Sequence, residues 1–359
     1  MVSGIPGVRG RVGELGPTSS LLVVVALACV ACVRADDSEG PAADASGGVA
    51  TEEVGSGAYV PERPECISPA DPGGGWDFTC RAASQALRVA GLLEQQVQVT
   101  NMPGGGGGVA FAHVVARRSD DDDLIVAASD ATSLRLAQGG YGSFDASSVR
   151  WLGALARDVG LVAVPSDSPH RTLDDLIESW RNDPASIRFG GGSAANGQDH
   201  MKALLLAEAG GIPGEDVTYI PFDGGGEAMN ALLGGFMDVF TGDVSEALGR
   251  VEGDDVRVLA ALSDERLQAL PDVPTARELG YDVEWIVWRG FYAPDGMSDE
   301  AYDFWVAALR ELEASREWRK IRDESGLLPF GLFGEEFERF IDEQVTSFAE
   351  LSETIGVGD

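Results

Sequence analysis

Apolar residues recur along this chain in two kinds of run. Short continuous or alternating runs of strand length occur at Glu65 to Ser68, Val97 to Thr100, Leu124 to Ala128, Ile187 to Phe189, Val217 to Phe222, Val239 to Phe240 and Val256 to Leu262. Among them lie segments with apolar residues spaced by three and four, which predict helices. These are Phe78, Ala82, Ala86, Val89 and Leu93; Leu173, Leu176, Ile177 and Trp180; Met201, Leu204 and Leu205; Met229, Leu232 and Leu233. Two later stripes, Tyr302, Trp305, Leu309 and Leu312, then Phe337, Phe340, Ile341, Phe348 and Leu351, are read as core-facing. The alternation of strand and helix predicts an α/β fold with mostly parallel sheets.

Glycine clusters punctuate this pattern at strand ends. Gly73 to Gly75 follow the first strand, with Asp77 placed to cap a helix. Gly190 to Gly192 follow Ile187 to Phe189, and Gly224 to Gly226 follow Val217 to Phe222. Such turns leave backbone N–H groups bare where the helix dipole adds partial positive charge, so two of them can hold a small anion without a basic side chain. Ligands of parallel α/β sheets sit outside the strand C-terminal ends. That places Ser129 and Asp130, which open the helix after Leu124 to Ala128, beside the same loops. The run Gly104 to Gly108 reads equally as an anion cradle or a flexible turn.

Composition narrows the class. The 359 residues are 44% hydrophobic and carry a formal net charge of −33, with Lys202 and Lys320 the only lysines. So acidic a chain is expected to avoid nucleic acid and anionic membranes, and a solvated acidic surface suits screening by salt. Residues 1–35 read as an export signal whose apolar stretch is too short to span a bilayer. Val25 to Cys29 fits a lipidation site at Cys29, with Cys32 the rival and a plain secretory signal the alternative. Residues 36–60 are poor in large apolar side chains and read as an acidic tether. In an exported protein Cys66 and Cys80, which flank the first glycine turn, are expected to pair. The acidic cluster Asp120 to Asp123 lacks EF-hand spacing and reads as a solvated turn.

Taken in order, the motifs resemble the tripartite tricarboxylate transporter receptor family, also called Bug proteins. The resemblance rests on Pro72 to Asp77, Asn101 with Pro103 to Gly108, Gly191 to His200, Tyr219 to Gly235, Leu270 to Thr275 with Glu278 and Gly280, and Ala293-Pro294 with Gly296. It implies a type II periplasmic-binding-protein fold whose two lobes close on a small carboxylate. With the chain's own pattern it gives lobe 1 as residues 61–163 plus 286–359, and lobe 2 as 164–285. Carried over residue by residue, the ligand positions are Gly74, Gly75 and Asp77, then Ser193 and Asn196, Gly224 and Gly225, and Thr241 and Asp243. Neighbouring loop residues Trp76, Ser129, Asp130, Gly192, Phe222 and Asp223 complete the candidate set. Asp77 and Asp243 also fit as structural caps, and Ser193 as a helix cap.

One departure bears on the ligand. Asp223 stands where the family often has a basic residue. It either points to solvent or favours a ligand with a positive group beside its carboxylate, such as an amino acid. The resemblance further implies membrane permease subunits as partners, a monomeric receptor and no cofactor. Enzyme readings fit less well. Gly191 to Ala195 lacks the last glycine of a nucleophile elbow, and His113, His170 and His200 have no metal-ligand spacing. Two rival classes stay open. One is a dinucleotide binder built on Gly190, Gly192 and Ala195 with Asp223 on the ribose. The other is an envelope scaffold with no small ligand.

Overall fold

A computed structural model describes residues 59–357. The lipidation, signal and most of the tether expectations therefore lie outside the described residues. The chain begins as β1 (Glu65–Ser68), α1 (Gly75–Val89), β2 (Gln98–Asn101), α2 (Gly108–Arg117), β3 (Leu124–Ser129), α3 (Asp130–Ala137) and the long β4 (Val149–Val159). It continues as β5 (Leu161–Pro165), α4 (Leu173–Asn182), β6 (Arg188–Gly191), α5 (Gln198–Ala209), β7 (Thr218–Pro221), α6 (Gly225–Leu233), β8 (Val239–Phe240), α7 (Val244–Glu252) and β9 (Val256–Ala261). It ends with β10 (Ile286–Pro294), α8 (Asp299–Ala314), α9 (Arg316–Glu324), β11 (Leu328–Phe333) and α10 (Glu335–Ile355).

Two sheets result. One has the strand order β11-β4-β10-β3-β1-β2 and the other β7-β6-β8-β5-β9. This is the two-lobed α/β architecture expected, but its sheets are mixed rather than mostly parallel. The β1–β2, β1–β3, β6–β7 and β6–β8 pairs are parallel, whereas β10 and β11 on β4, β10 on β3, and β8 and β9 on β5 are antiparallel. The cause is the traffic between sheets. β4 runs straight into β5 with Gly160 alone between them, and β10 returns without a preceding helix. A strand that arrives without a helical crossover is free to enter its sheet reversed.

The two crossings lie side by side. Gly160 N donates to Trp285 O at 2.9 Å, and Leu161 N donates to Gly242 O at 3.0 Å. A third connection is α10, whose Phe348 stacks on Trp285 with ring centroids 5.8 Å apart.

Each sheet buries its own apolar layer. Cys66, Ala83, Leu87, Leu155, Phe291, Trp305 and Trp318 form part of the first layer, and Trp180, Phe189, Met201, Leu206 and Leu259 part of the second. The Cys66–Cys80 disulfide joins β1 to α1, with Cα atoms 5.8 Å apart. Six elements had no expectation in the sequence: the strands β4, β5, β10 and β11 and the helices α7 and α9. The α1 stripe also needs correction. The helix ends at Val89, which is 66% exposed, and its buried face is Thr79, Ala82, Ala83, Ala86 and Leu87. Asp121 to Asp123 act as anchors: Asp123 accepts from the amides of Glu62 and Arg63, Asp122 holds Ser298 at the start of α8, and Asp121 pairs with Arg118. No cluster of potential metal ligands occurs among the described residues.

Candidate functional site

The glycine turns of the two sheets meet. Asp71 N donates to Asp223 O at 2.8 Å across the cleft. A methyl group on Gly74 would stand 3.0 Å from Gly224 Cα, and one on Gly192 would stand 2.2 Å from Gly225 N and 2.5 Å from Gly224 C. The Gly74 contact crosses between the sheets, whereas within the second sheet the turns after β6 and β7 approach so closely that Gly192 admits no side chain. The 104–108 run joins them in a defined shape rather than a loose one. Gly104, Gly105, Gly106 and Gly107 all have positive φ, between +61° and +121°, a region most side chains avoid. Tyr141 Oη donates to Gly106 O at 2.7 Å and fixes the run.

These loops enclose a cavity of about 30 Å³. Of the residues expected at a ligand, Gly75, Trp76, Ser129, Gly192, Ser193, Asp223 and Gly224 line it. Trp76 Nε1 donates to Ser129 Oγ at 3.0 Å, which sets the indole against the cavity wall. Ser193 Oγ accepts from Asp199 N at 3.0 Å and meets Tyr219 Oη at 3.2 Å, so it helps cap α5 at the cavity's edge. Asp223 is exposed at the rim.

The remaining candidates do other work in this structure. Helix α1 begins at Gly75 with Gly74 as its N-cap, three residues before the expected cap, so Asp77 is not its N-cap residue. Its buried carboxylate instead accepts from Gly73 N, Arg81 and Asn101, which hold it below the usual carboxylate range although burial opposes this. Asn196 adopts a left-handed φ of 62°, and its carbonyl accepts from Gln138 Nε2. Phe222 packs against the core of the second sheet, and Gly225 opens α6 against the Glu246 side chain. Thr241 Oγ1 donates to Asp199 O. Asp130 is fully buried and accepts from Trp285 Nε1 at 2.8 Å; burial and then the charge of Asp243 push its pKa up to about 8. Asp243 joins a buried ion network.

That network is what the sequence reading missed. Arg289 of β10 donates to Asp158 of β4 and to Asp243 at the start of α7, both at 2.7 Å. Lys202 of α5 donates to Asp199 at 2.8 Å and also to Asp243. All five side chains are nearly or fully buried. Burial favours a neutral Asp243, but Lys202 and Arg289 outweigh it and hold Asp243 below the carboxylate range. Asp199 goes the other way, raised chiefly by burial, with Asp243 adding to it against Lys202. Glu246 completes the site. It lines the cavity, so part of its surface stays accessible although it lies between the sheets. Its carboxylate accepts from Gly75 N at 2.7 Å and from Asp243 N at 3.2 Å. Burial, then the charges of Asp243 and Asp199, push its pKa up to about 8.

The cavity wall is therefore not glycine backbone alone. Arg135, Asp199, Asp223, Glu246 and Arg289 all line the cavity. Two signals pointed that way. Arg289 interrupts the apolar run Ile286–Pro294, and Lys202, one of two lysines, sits on the buried side of α5.

Comparison with known proteins gives the same picture. Residues 81–357 match the model of the tripartite tricarboxylate transporter family receptor. A UPF0065 protein of Bordetella pertussis is 27% identical over 202 residues, which are 55% of this chain and 60% of that protein. This chain thus spans about three fifths of that curated relative's length. Among solved structures, the periplasmic binding protein BugD superposes with a TM-score of 0.76 at 24% identity, covering 83% of this chain and 99% of that one. MatC from Rhodopseudomonas palustris, solved with bound malate, superposes with a TM-score of 0.71 at 20% identity, covering 80% and 98%. Both likenesses establish the fold. No helix among the described residues is long and apolar enough to cross a membrane.

Proposed function

Because the chain belongs to the tripartite tricarboxylate transporter receptor family, we propose that it is an extracytoplasmic solute receptor. It captures a small organic carboxylate between its lobes and presents the closed form to a membrane permease. The observation that carries this reading is the meeting of three glycine turns from two sheets around one enclosed cavity. Backbone amides at helix starts favour an anion there. Malate in MatC is in keeping with a ligand of this class.

The cavity of about 30 Å³ has room for only a few water molecules, at about 10–15 Å³ each. A carboxylic acid needs more room, so entry requires the lobes to part. The pivot is placed at the paired crossings, Gly160 and Trp285, where two chain segments can absorb a small change in backbone angles. The residues proposed to face the ligand are Gly75, Trp76, Ser129, Gly192, Ser193, Asp223 and Gly224, with Gly74 and Gly225 supporting the turns. Buried Gln198 Oε1, also on the lining, has no partner among the described residues and suits a donor on the ligand. The Cys66–Cys80 disulfide suits an oxidising compartment. A lipid tether through Cys29 is part of this proposal, and the mass of the mature N-terminus checks it.

The experiment is a thermal-shift screen followed by calorimetry. It uses dicarboxylates, tricarboxylates, amino acids and aromatic acids, each in low and high salt. At least one acid should stabilise the protein and bind with one-to-one stoichiometry. Stabilisation by NAD and by none of the acids would instead favour the dinucleotide reading.

A further inference from the structure

Five charged side chains line the cavity, and four are already accounted for. Arg289 is held by Asp158 and Asp243, Asp199 by Lys202, and Glu246 by the amides of Gly75 and Asp243, while Asp223 is exposed. Arg135 differs. Its Nη1 donates to Gln138 Oε1 at 2.8 Å, and among the described residues its buried Nε has no hydrogen-bond partner and it forms no ion pair with a carboxylate. A buried donor without an acceptor is costly and uncommon. The free edge of a guanidinium matches a carboxylate, which accepts two parallel hydrogen bonds from it.

Placement supports a ligand role. The aliphatic stem of Arg135 lies beside Gly106, where an added methyl group would meet Arg135 Cδ at 3.6 Å and Ala194 Cβ at 3.4 Å. It therefore stands where the glycine run of one lobe faces the loop after β6 of the other. Its partner Gln138 donates across that same boundary to Asn196 O at 2.9 Å. The guanidinium is thus held in place by a residue that bridges the lobes when they are closed.

We propose that Arg135 receives a second carboxylate of the ligand and selects dicarboxylates over monocarboxylates of equal length. This rests on the carboxylate-receptor reading, in which the glycine turns take the first carboxylate. Arg135 acts only on the distal group, so it is separable from capture itself.

Calorimetry of the full chain with matched acids tests it. The pairs are succinate with butyrate and adipate with hexanoate, titrated into wild type, Arg135→Met and Arg135→Lys. The Met variant should lose about ten-fold or more in affinity for the diacid that wild type binds. Affinity for the matching monoacid should change by less than about two-fold, within the scatter of surface substitutions. The Lys variant, which keeps the charge but not the fork, should fall between, and it decides the matter if the Met variant does not fold. An unchanged preference for the diacid, or an equal loss for both members of a pair, would overturn the assignment. Failure of wild type to bind any carboxylate would instead overturn the receptor reading, and this assignment with it.

Discussion

The amide of Gly75 donates a 2.7 Å hydrogen bond to the carboxylate of Glu246. The first turn of α1, built on one sheet, is therefore held by α7, which belongs to the other. A carboxylate of the protein itself sits where the glycine turns are expected to receive one from the ligand. The contact is also a titratable latch.

The first prediction concerns pH. The Glu246 carboxyl is raised from about 4.5 when unfolded to about 8 in the fold. Its stabilising contribution is therefore fully present below the unfolded value and is lost as pH rises through the folded one. Asp130, raised to about 8, acts in the same sense. His200, lowered to about 4 by burial, acts oppositely, but only below its unfolded value of 6.5. Between pH 6.5 and 8, stability from urea denaturation should fall as pH rises. Glu246→Gln should make that slope shallower by up to about 1.4 kcal/mol per pH unit. Equal slopes in wild type and variant would show that Glu246 does not titrate in this range.

The second prediction concerns the turns. A methyl group on Gly192 would lie 2.2 Å from Gly225 N, and neither contact atom there belongs to a flexible side chain. Gly192→Ala should push apart the turns after β6 and β7 within the second sheet and weaken carboxylate binding by about ten-fold or more, the equivalent of about 1.4 kcal/mol. Circular dichroism should be unchanged, because the loop ends β6 without entering it. Gly74→Val, which sets a side chain against Gly224 of the other sheet, should hold the lobes apart and enlarge the radius of gyration in solution scattering.

How much of this was legible in the chain depended on the kind of residue. Glycine declares its purpose locally, so the turns at 73–75, 190–192 and 224–226 are legible in the sequence alone. Their shared cleft followed from the strand–helix alternation. The ion network declared little locally beyond Arg289 within an apolar run and Lys202 as one of two lysines. Asp158, Lys202, Asp243 and Arg289 come from distant parts of the sequence and meet only because β4 and β10 cross between sheets. Helix periodicity cannot distinguish a buried lysine from a solvated one. The missed elements have similar causes. Helix α9 reads REWRKIRDE, with too few apolar residues for a stripe, and β11 carries Pro329 and Gly331. Both features normally argue against such assignments.

The network supplies a third prediction. Arg289 compensates Asp158 and Asp243, two carboxylates with no exposure. Arg289→Met leaves both partly uncompensated and should destabilise the fold by about 3–5 kcal/mol, the usual cost of breaking a buried pair from one side. Denaturant unfolding would measure it. A loss no larger than that of an exposed pair such as Arg250–Asp255, about 0–1 kcal/mol, would mean that the Asp158 and Asp243 charges are satisfied without the guanidinium.

The central claim is that a carboxylate is captured between the turns at 73–75, 192–193 and 224–225. A crystal structure of the complex with the tightest-binding acid tests it most directly. One carboxylate should lie within hydrogen-bond distance of main-chain amides from both sheets, with Glu246 displaced from Gly75 or protonated beside the acid. An acid bound outside this cleft, or held by amides of one sheet alone, would contradict it.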